Sequence, residues 1–355
     1  MRRVPATPTV PQRPTVSIIV PARNEEACLR DCLQSLVTQS GVVFEIIVVD
    51  DHSADRTREI ASSFSTVRVI EARPLPEGWT GKNNAVATGA RHALGEWLLF
   101  ADADTVHLPG SLARSLAEAQ KQGAVLLSYS PEQIVTGFWE KAVMPVIFAE
   151  LASTYRPSEV SDPNLPTAAA NGQYILITRA AYDAVGGHAA VARSLLEDVE
   201  LARLVKRSGR KIFFRFGGDA VRTRMYRTFA QLREGWTKNL ALLFPHSEWL
   251  AAWRAIEFLL LIVCLVLGVK AIAAGDYPHV ALYSALPVFA YVRIRRAHFS
   301  WQANILVLFG LPLFSYLLLR SSIHHRVGTV GWKGRTYGAR DREVEPARAT
   351  IGRAS

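Results

Sequence analysis

Between residues 15 and 130 the chain repeats one pattern: a short run of β-branched and other apolar residues, a polar tip, then a longer stretch with apolar positions at helical spacing. "TVSIIVP", "FEIIVVDD", "TVRVIEA", "EWLLFAD" and "AVLLSYS" read as buried strands. "NEEACLRDCLQSLVTQSG", "SADRTREIASSF", "GKNNAVATGARHALG" and "LPGSLARSLAEAQKQG" read as the helices between them, the first expected to start at an Asn24 cap and stop at Gly41. Strands alternating with helices predict βαβ units, hence an α/β domain whose mainly parallel sheet is covered by helices.

Three later stretches break the alternation. Residues 255–275, 279–292 and 299–319 are apolar with few charges. The first and third each approach the roughly twenty residues a bilayer crossing needs, while the middle one, with Pro287 inside it, is short for a full span. "AIEFLLLIVCLVLGVKAIAA" has no polar face, unlike the buried helix of a soluble domain. The expected organisation is therefore a leader at 1–14, an α/β domain at 15–249, a membrane region at 250–320 and a basic cytoplasmic tail at 321–355. "TGFWEKAVMPVIFAELAST" and "FAQLREGWTKNLALLF" mix apolar, aromatic and charged residues as interfacial segments do.

Charge changes this picture. The chain has 355 residues, 49% of them hydrophobic, and a formal net charge of +10. The basic residues gather beside the apolar runs, at Arg293, Arg295 and Arg296 and from Arg320 through Arg342. Cationic flanks face the cytoplasm and anionic headgroups, which assigns this charge to a membrane surface and not to nucleic acid. Three crossings would put the Arg-rich tail outside, so an even number is expected, with the short middle run re-entrant. The leader "MRRVPATPTVPQRPT" carries no apolar signal core and reads as disordered, leaving the α/β domain in the cytoplasm. Cys28, Cys32 and Cys264 lack the spacing of a zinc site and are expected to be small core residues in a reduced compartment.

Candidate chemistry lies at the strand ends, where ligands of parallel sheets bind. Pro21, Arg23, Asn24 and Glu25 end the first strand, Asp50 and Asp51 the second, Asp102 and Asp104 the fourth. An unpaired buried carboxylate costs several kcal/mol, so paired Asp residues at a strand tip need a partner. A divalent cation, Mn²⁺ or Mg²⁺, bridging Asp102 and Asp104 to substrate phosphate meets that need. Capping explains Asn24, Asp50 or Ser53 one at a time, but three polar strand ends on one edge point to a ligand crevice. The chain has no GxGxxG turn, no P-loop and no GxSxG elbow, which removes the dinucleotide, P-loop and serine-hydrolase readings.

"VSIIVPARNEE", "EIIVVDDHSADRT", "FADAD" and "SLLEDVELARLVKRSG", in this order, resemble the inverting family 2 glycosyltransferases of GT-A fold over about residues 15 to 245. The resemblance implies that Asp51, then Asp50, contact the base and ribose of a nucleotide donor. It implies that Asp104 and Asp102 hold metal and diphosphate, and that Asp198, beside Glu197, is the general base. A base opposite the leaving group suits an inverting displacement, and a helix N-terminus favours its ionised form.

"GWTGKNNA", "NGQYILITRAAYDAVGGH", "RMYRTFAQLREGWTKN" and "VGWKGRTY" further resemble bacterial membrane glycosyltransferases of carotenoid, hopanoid and ceramide glycosylation. This implies Lys82 and Asn83 at the nucleotide or diphosphate, and Asn171, Gly172 and Gln173 at the sugar and acceptor end. Arg233 and Trp236 would cover diphosphate and acceptor. Processive relatives carry Q/R-x-x-R-W where this chain reads Gln231, Leu232, Arg233, Glu234, Gly235, Trp236, so one sugar per acceptor is expected. The implied activity moves a sugar from a nucleotide diphosphate, a UDP-sugar first, to a lipid hydroxyl at the inner membrane. The alternatives are a polyprenyl-phosphate acceptor and a catalytically silent nucleotide-sugar-binding membrane protein.

Overall fold

The computed structural model describes residues 13–337. Strand and helix alternate at first: β1 (Val16–Ala22), α1 (Leu29–Val37), β2 (Phe44–Asp50), α2 (Thr57–Ser62), β3 (Val67–Glu71), α3 (Gly81–His92) and β4 (Trp97–Phe100). β5 (Thr105–His107), α4 (Ser111–Gln122), β6 (Leu126–Ser130) and β7 (Glu132–Gln133) lead to the long α5 (Phe138–Thr154). The short α6 (Pro157–Ser161), β8 (Ile175–Thr178), α7 (Arg179–Ala184) and α8 (Gly187–Ala190) precede α9 (Glu197–Arg207), β9 (Ile212–Phe216) and β10 (Val221–Thr223). A helical region follows, with α10 (Phe229–Leu243), α11 (Ser247–Ala273), α12 (Tyr277–Arg295), α13 (Trp301–Ile305) and α14 (Val307–Val327). A hairpin of β11 (Val330–Trp332) and β12 (Arg335–Tyr337) ends it.

The main sheet orders its strands β3-β2-β1-β4-β8-β6-β9, and only β8 runs antiparallel to its neighbours. Period-two alternation sends successive side chains to opposite faces. Val16, Ile18 and Val20 of β1 meet Leu29, Leu33 and Leu36 of α1, whereas Ile19 faces Ala85, Val86 and Ala90 of α3. Both faces are buried, which is why β1 and β2 read as unbroken apolar runs.

Asn24 does not cap α1. It holds the left-handed φ of 53°, the next residues form a turn, and the helix starts at Leu29. Cys32 is fully buried in the core, as expected, while Cys28 is half-buried; all three cysteines are free thiols.

A third core joins α5 and α10 to α11, α12 and α14. The apolar stretches extend beyond the expected limits of 250 and 320, because α11 begins at Ser247 and α14 runs to Val327. The middle run is α12, one continuous helix despite Pro287, joined to α11 by the turn at Gly275. Of the expected tail, residues 321–337 form the end of α14 and the β11–β12 hairpin, which folds back onto the α/β domain through Arg335 and Asp51. Residues 1–12 of the leader and 338–355 of the tail lie outside the described residues.

Candidate active site

β1, β2 and β4 are parallel, so the loops that follow them meet on one edge of the sheet. Pro21 closes this edge within β1, opposite Val49. Arg23 Nη1 donates to the Asp51 carbonyl at 2.7 Å. Asn24 joins the first two loops: its side-chain oxygen accepts from the Ala54 N–H at 2.9 Å and its own N–H donates to Ser53 Oγ at 3.1 Å. Glu25 N–H donates to Thr57 Oγ1 at 2.7 Å. Asp50 accepts the Ser53 N–H at 3.3 Å and shapes the loop, leaving Asp51 as the carboxylate that faces out of the strand end.

Asp51 is almost wholly buried and takes both Nη atoms of Arg335, at 2.6 and 3.1 Å. Beside it lies a cavity of about 300 Å³ walled by Trp79, Thr80, Arg193, Arg335 and Tyr337 among others.

Lys82 stands at the centre. Thr80 caps α3 by accepting the Asn83 N–H at 3.2 Å, and the first turn then carries Lys82 Nζ to 2.8 Å from both Asp102 Oδ1 and Glu197 Oε1. Burial opposes a charged Lys82, but Asp102 and Glu197 raise its pKa well above the usual lysine value. Glu197 answers in kind. Burial would raise it, yet Lys82 and then Lys238 hold it below the ordinary carboxylate range.

Asp198, in the first turn of α9, accepts two backbone hydrogen bonds at 2.8 Å, from the Gly172 and Val199 N–H groups. These favour its anion, but burial and the adjacent Glu197 outweigh them and lift the carboxyl to about 6. A Cβ at Gly172 would sit 2.9 Å from Lys82 Nζ, which would have to shift, and in ordinary contact, 3.4 Å, with the Asp198 and Glu197 carboxylates. Asn171 folds the turn that presents it, its Oδ1 accepting the Gln173 N–H at 3.0 Å. Gln173 donates to Thr223 Oγ1 at 3.2 Å.

The carboxylates fit a divalent cation only with a substrate's help. Asp104 Oδ1 is buried without a hydrogen-bond partner, and burial, then Asp102 and Glu25, push that carboxyl up to about 7. Among the described residues no three His, Cys, Asp or Glu side chains cluster to cage a metal. Asp102 and Asp104 therefore suit a cation whose remaining ligands are phosphate oxygens and water.

Two expected contacts are not made. Asn83 is fully buried, its amide donating to the carbonyls of Val191, Ala192 and Ser194 at 2.8 to 3.1 Å. It braces the loop before α9 and does not face the crevice. Trp236 is core: 2% exposed, it donates to Met144 Sδ at 3.4 Å in the layer between α5 and α10. Arg233 lies half-buried on α10, one turn earlier.

Three cations were missed. Lys238 lies half-buried near the Glu197 cluster with its Nζ 4.8 Å from the Trp332 ring, and desolvation lowers its pKa. On the β11–β12 hairpin, Lys333 pairs with Glu25 and Arg335 with Asp51. The signals were the "RMYRTFAQLREGWTKN" motif for Lys238 and "VGWKGRTY" for Lys333 and Arg335, obscured because these segments read as interfacial helix and membrane-flanking charge.

The Glycosyl transferase family 2 model matches residues 17–197, half of the chain. A 4,4'-diaponeurosporenoate glycosyltransferase of Staphylococcus aureus (strain USA300) is 30% identical over 344 residues, covering 91% of this chain and 88% of the relative. Among solved structures, the mannosyltransferase PcManGT from Pyrobaculum calidifontis, in complex with GDP-Man and Mn2+, superposes with a TM-score of 0.50 at 16% identity over 88% of this chain and 87% of that one. S. aureus TarS 1-349 in complex with UDP-GlcNAc covers 64% of this chain and 65% of that one at a TM-score of 0.43 and 17% identity. The fold is GT-A, and the chain is a glycosyltransferase that belongs to glycosyl transferase family 2.

Proposed function

We propose that the protein is a membrane-bound inverting glycosyltransferase that moves one sugar from a UDP-sugar to a lipid acceptor. The observation that carries this reading is Lys82, whose ammonium is 2.8 Å from a carboxylate of each candidate half-site, Asp102 and Glu197. It brings the donor-side strand ends and the α9 carboxylates into one crevice.

In this reading Asp51 and the cavity beside it take the nucleoside, and Asp102 and Asp104 hold the diphosphate side. A bound Mn²⁺ or Mg²⁺ supplies neutralisation of the charge that develops on the departing diphosphate. Asp198 accepts the proton of the acceptor hydroxyl as its oxygen bonds to the anomeric carbon. The bond from that carbon to the diphosphate breaks, and its electron pair leaves with the nucleotide. Lys82 stabilises the developing charge from inside the crevice, and Gly172 leaves room for the sugar beside it. The apolar α11 and α14 support membrane attachment, with the catalytic domain on the cytoplasmic side.

The acceptor decides the role of Asp198. The staphylococcal relative's name gives its acceptor as an "-oate", a carboxylate, and an acceptor that is already anionic needs no base. Asp198→Asn in detergent-solubilised enzyme, assayed with labelled UDP-sugar and lipid extract, should lower kcat by about 10²–10⁴-fold with donor affinity kept. Full turnover in that variant would overturn the hydroxyl reading in favour of an anionic acceptor. Calorimetry with UDP- and GDP-sugars, with Mn²⁺ and after EDTA, tests the donor: chelator-sensitive binding of the UDP class is expected, and its loss in Asp104→Ala.

A further inference from the structure

Among the described residues two helices are long and apolar enough to cross a bilayer, α11 and α14, but their surroundings differ. α14 packs on α11, where Ser322 Oγ donates to Glu248 at 2.6 Å, and is also flanked by α5 and α10, both of the catalytic domain. At its start, Gly310 lies so close to the Ala142 carbonyl of α5 that no Cβ fits. Near its end, Ser321 Oγ donates to the Thr237 carbonyl at 2.7 Å and accepts the Ala241 N–H at 2.9 Å, and Arg320 Nε donates to Thr237 Oγ1 at 3.2 Å. His325 bonds the Lys238 carbonyl at 2.7 Å. α5 carries Glu140, Lys141 and Glu150, and α10 carries Arg233, Glu234 and Lys238. For α14 to cross, these helices would have to enter hydrocarbon beside it, at a cost of several kcal/mol per charge.

α11 and α12 are built the other way. α11 packs on α14 as well as on α12, with Leu261 buried in the core they share, but beyond it the two helices expose Val263, Val269, Leu282 and Phe289. Where they leave the domain, Arg254 pairs with Glu150 at 2.8 Å and Glu257 at 2.5 Å, and Arg293 with Glu257 at 2.8 Å. These charges face inward and balance. From Trp253 to Ala273 α11 rises about 30 Å, close to the hydrocarbon thickness of a bilayer. Lys270, Asp276 and His279 lie at the far end, and the exposed Arg295 and Arg296 at the near end, where anionic headgroups attract them. The chain then returns to the domain, because the β11–β12 hairpin after α14 reaches Asp51.

We propose that the α11–α12 hairpin alone crosses the membrane, and that α14 lies in the headgroup layer on the domain side, with Phe309, Tyr316, Ile323 and Val327 turned toward lipid. This rests on the membrane-bound reading above. Phe138 and Trp139 of α5, with Phe229 of α10, continue the same exposed apolar surface.

The test is labelling of single added cysteines in the full-length chain, Ile305→Cys, Val327→Cys and Tyr277→Cys, by a membrane-impermeant maleimide in sealed vesicles of either orientation. The parent for labelling carries Cys264→Ser, since Cys264 is a half-buried free thiol on α11, and its background is then low because burial pushes Cys32 up to about 12 and raises Cys28 as well. Positions 305 and 327 should both label from the domain side, and position 277 only from the opposite side. Labelling of 305 and 327 from opposite sides, or of 277 from the domain side, would overturn the arrangement. Ala274→Cys replaces Tyr277→Cys should that variant fail to accumulate. Release of the protein from the vesicles by alkaline carbonate without detergent would instead sink the membrane-bound reading itself.

Discussion

The carboxylate edge of the sheet and the helical layer beside it are both made of apolar runs broken by charge, yet a charge means different things in each. On the edge, Asp51, Asp102 and Asp104 follow an apolar strand at the point where the chain leaves the core, and Asp198 opens a helix. The placement of the three strand-end carboxylates leads one to expect a shared crevice, whereas an acidic helix start alone does not. In the helical layer charges lie within the helices, and only the neighbouring helix decides their role. Arg254 and Glu257 turn inward to each other, while the apolar α14 is covered by charged helices. Strand ends declare a site; helix faces do not until their partners are known.

The largest expected effect tests the edge. Lys82→Met removes the cation held between Asp102 and Glu197, and kcat should fall by about 10²–10³-fold, the scale of losing one preorganised electrostatic partner. Steady-state transfer at saturating donor measures this. A variant within a few-fold of the parent would show that the two half-sites do not work as one crevice.

Trp236→Ala is the matching test in the layer. Truncating a buried aromatic in a packed core costs about 3–5 kcal/mol, so the midpoint of thermal or denaturant unfolding should drop sharply. The kcat of the fraction that remains folded should hardly change. The reverse result, a stable protein with collapsed kcat, would make Trp236 an acceptor contact and erase the contrast between the regions.

How much was legible follows from the same contrast. The alternation of β1–β4 and β6 with α1–α4, though not the short β5, and the buried faces of β1 and β2 follow from local patterning and stand in the structure; Asp51, Asp102 and Asp104 lie at strand ends as the pattern has them, while Asp198 was reached only through the motif resemblance. Asn83 and Trp236 went astray because motif position says nothing of side-chain direction. Asn83 opens a helix beside Lys82, but helical geometry turns it about 100° away, into the loop at 191–194. Lys238, Lys333 and Arg335 were hidden for another reason: they reach the crevice only through tertiary packing, from segments that read as interfacial helix and basic tail.

A smaller effect, of pH, sharpens the role of Asp198. Burial and the neighbouring Glu197 lift its carboxyl to about 6, above the ordinary aspartate value, and in the proposed mechanism its ionised form acts as the base. The kcat should therefore be flat above pH 7 and fall toward tenfold per unit below about 6. Glu197→Gln removes a negative neighbour that raises this carboxyl, so the acid limb should move to lower pH. An acid limb that stays in place would show that another group controls it.

The smallest expected effect concerns Arg335, where the two regions meet. In the structure its guanidinium occupies the Asp51 carboxylate that the donor nucleoside is proposed to use, so a nucleoside must displace it before binding. The apparent affinity is then lowered by the fraction of molecules in which Asp51 is engaged. Arg335→Ala should tighten binding of UMP, which carries the base but no diphosphate, by a few-fold in calorimetry. Weaker UMP binding in the variant would mean that Arg335 is part of the nucleoside pocket, a wall that β12 supplies and not a plug that the donor removes.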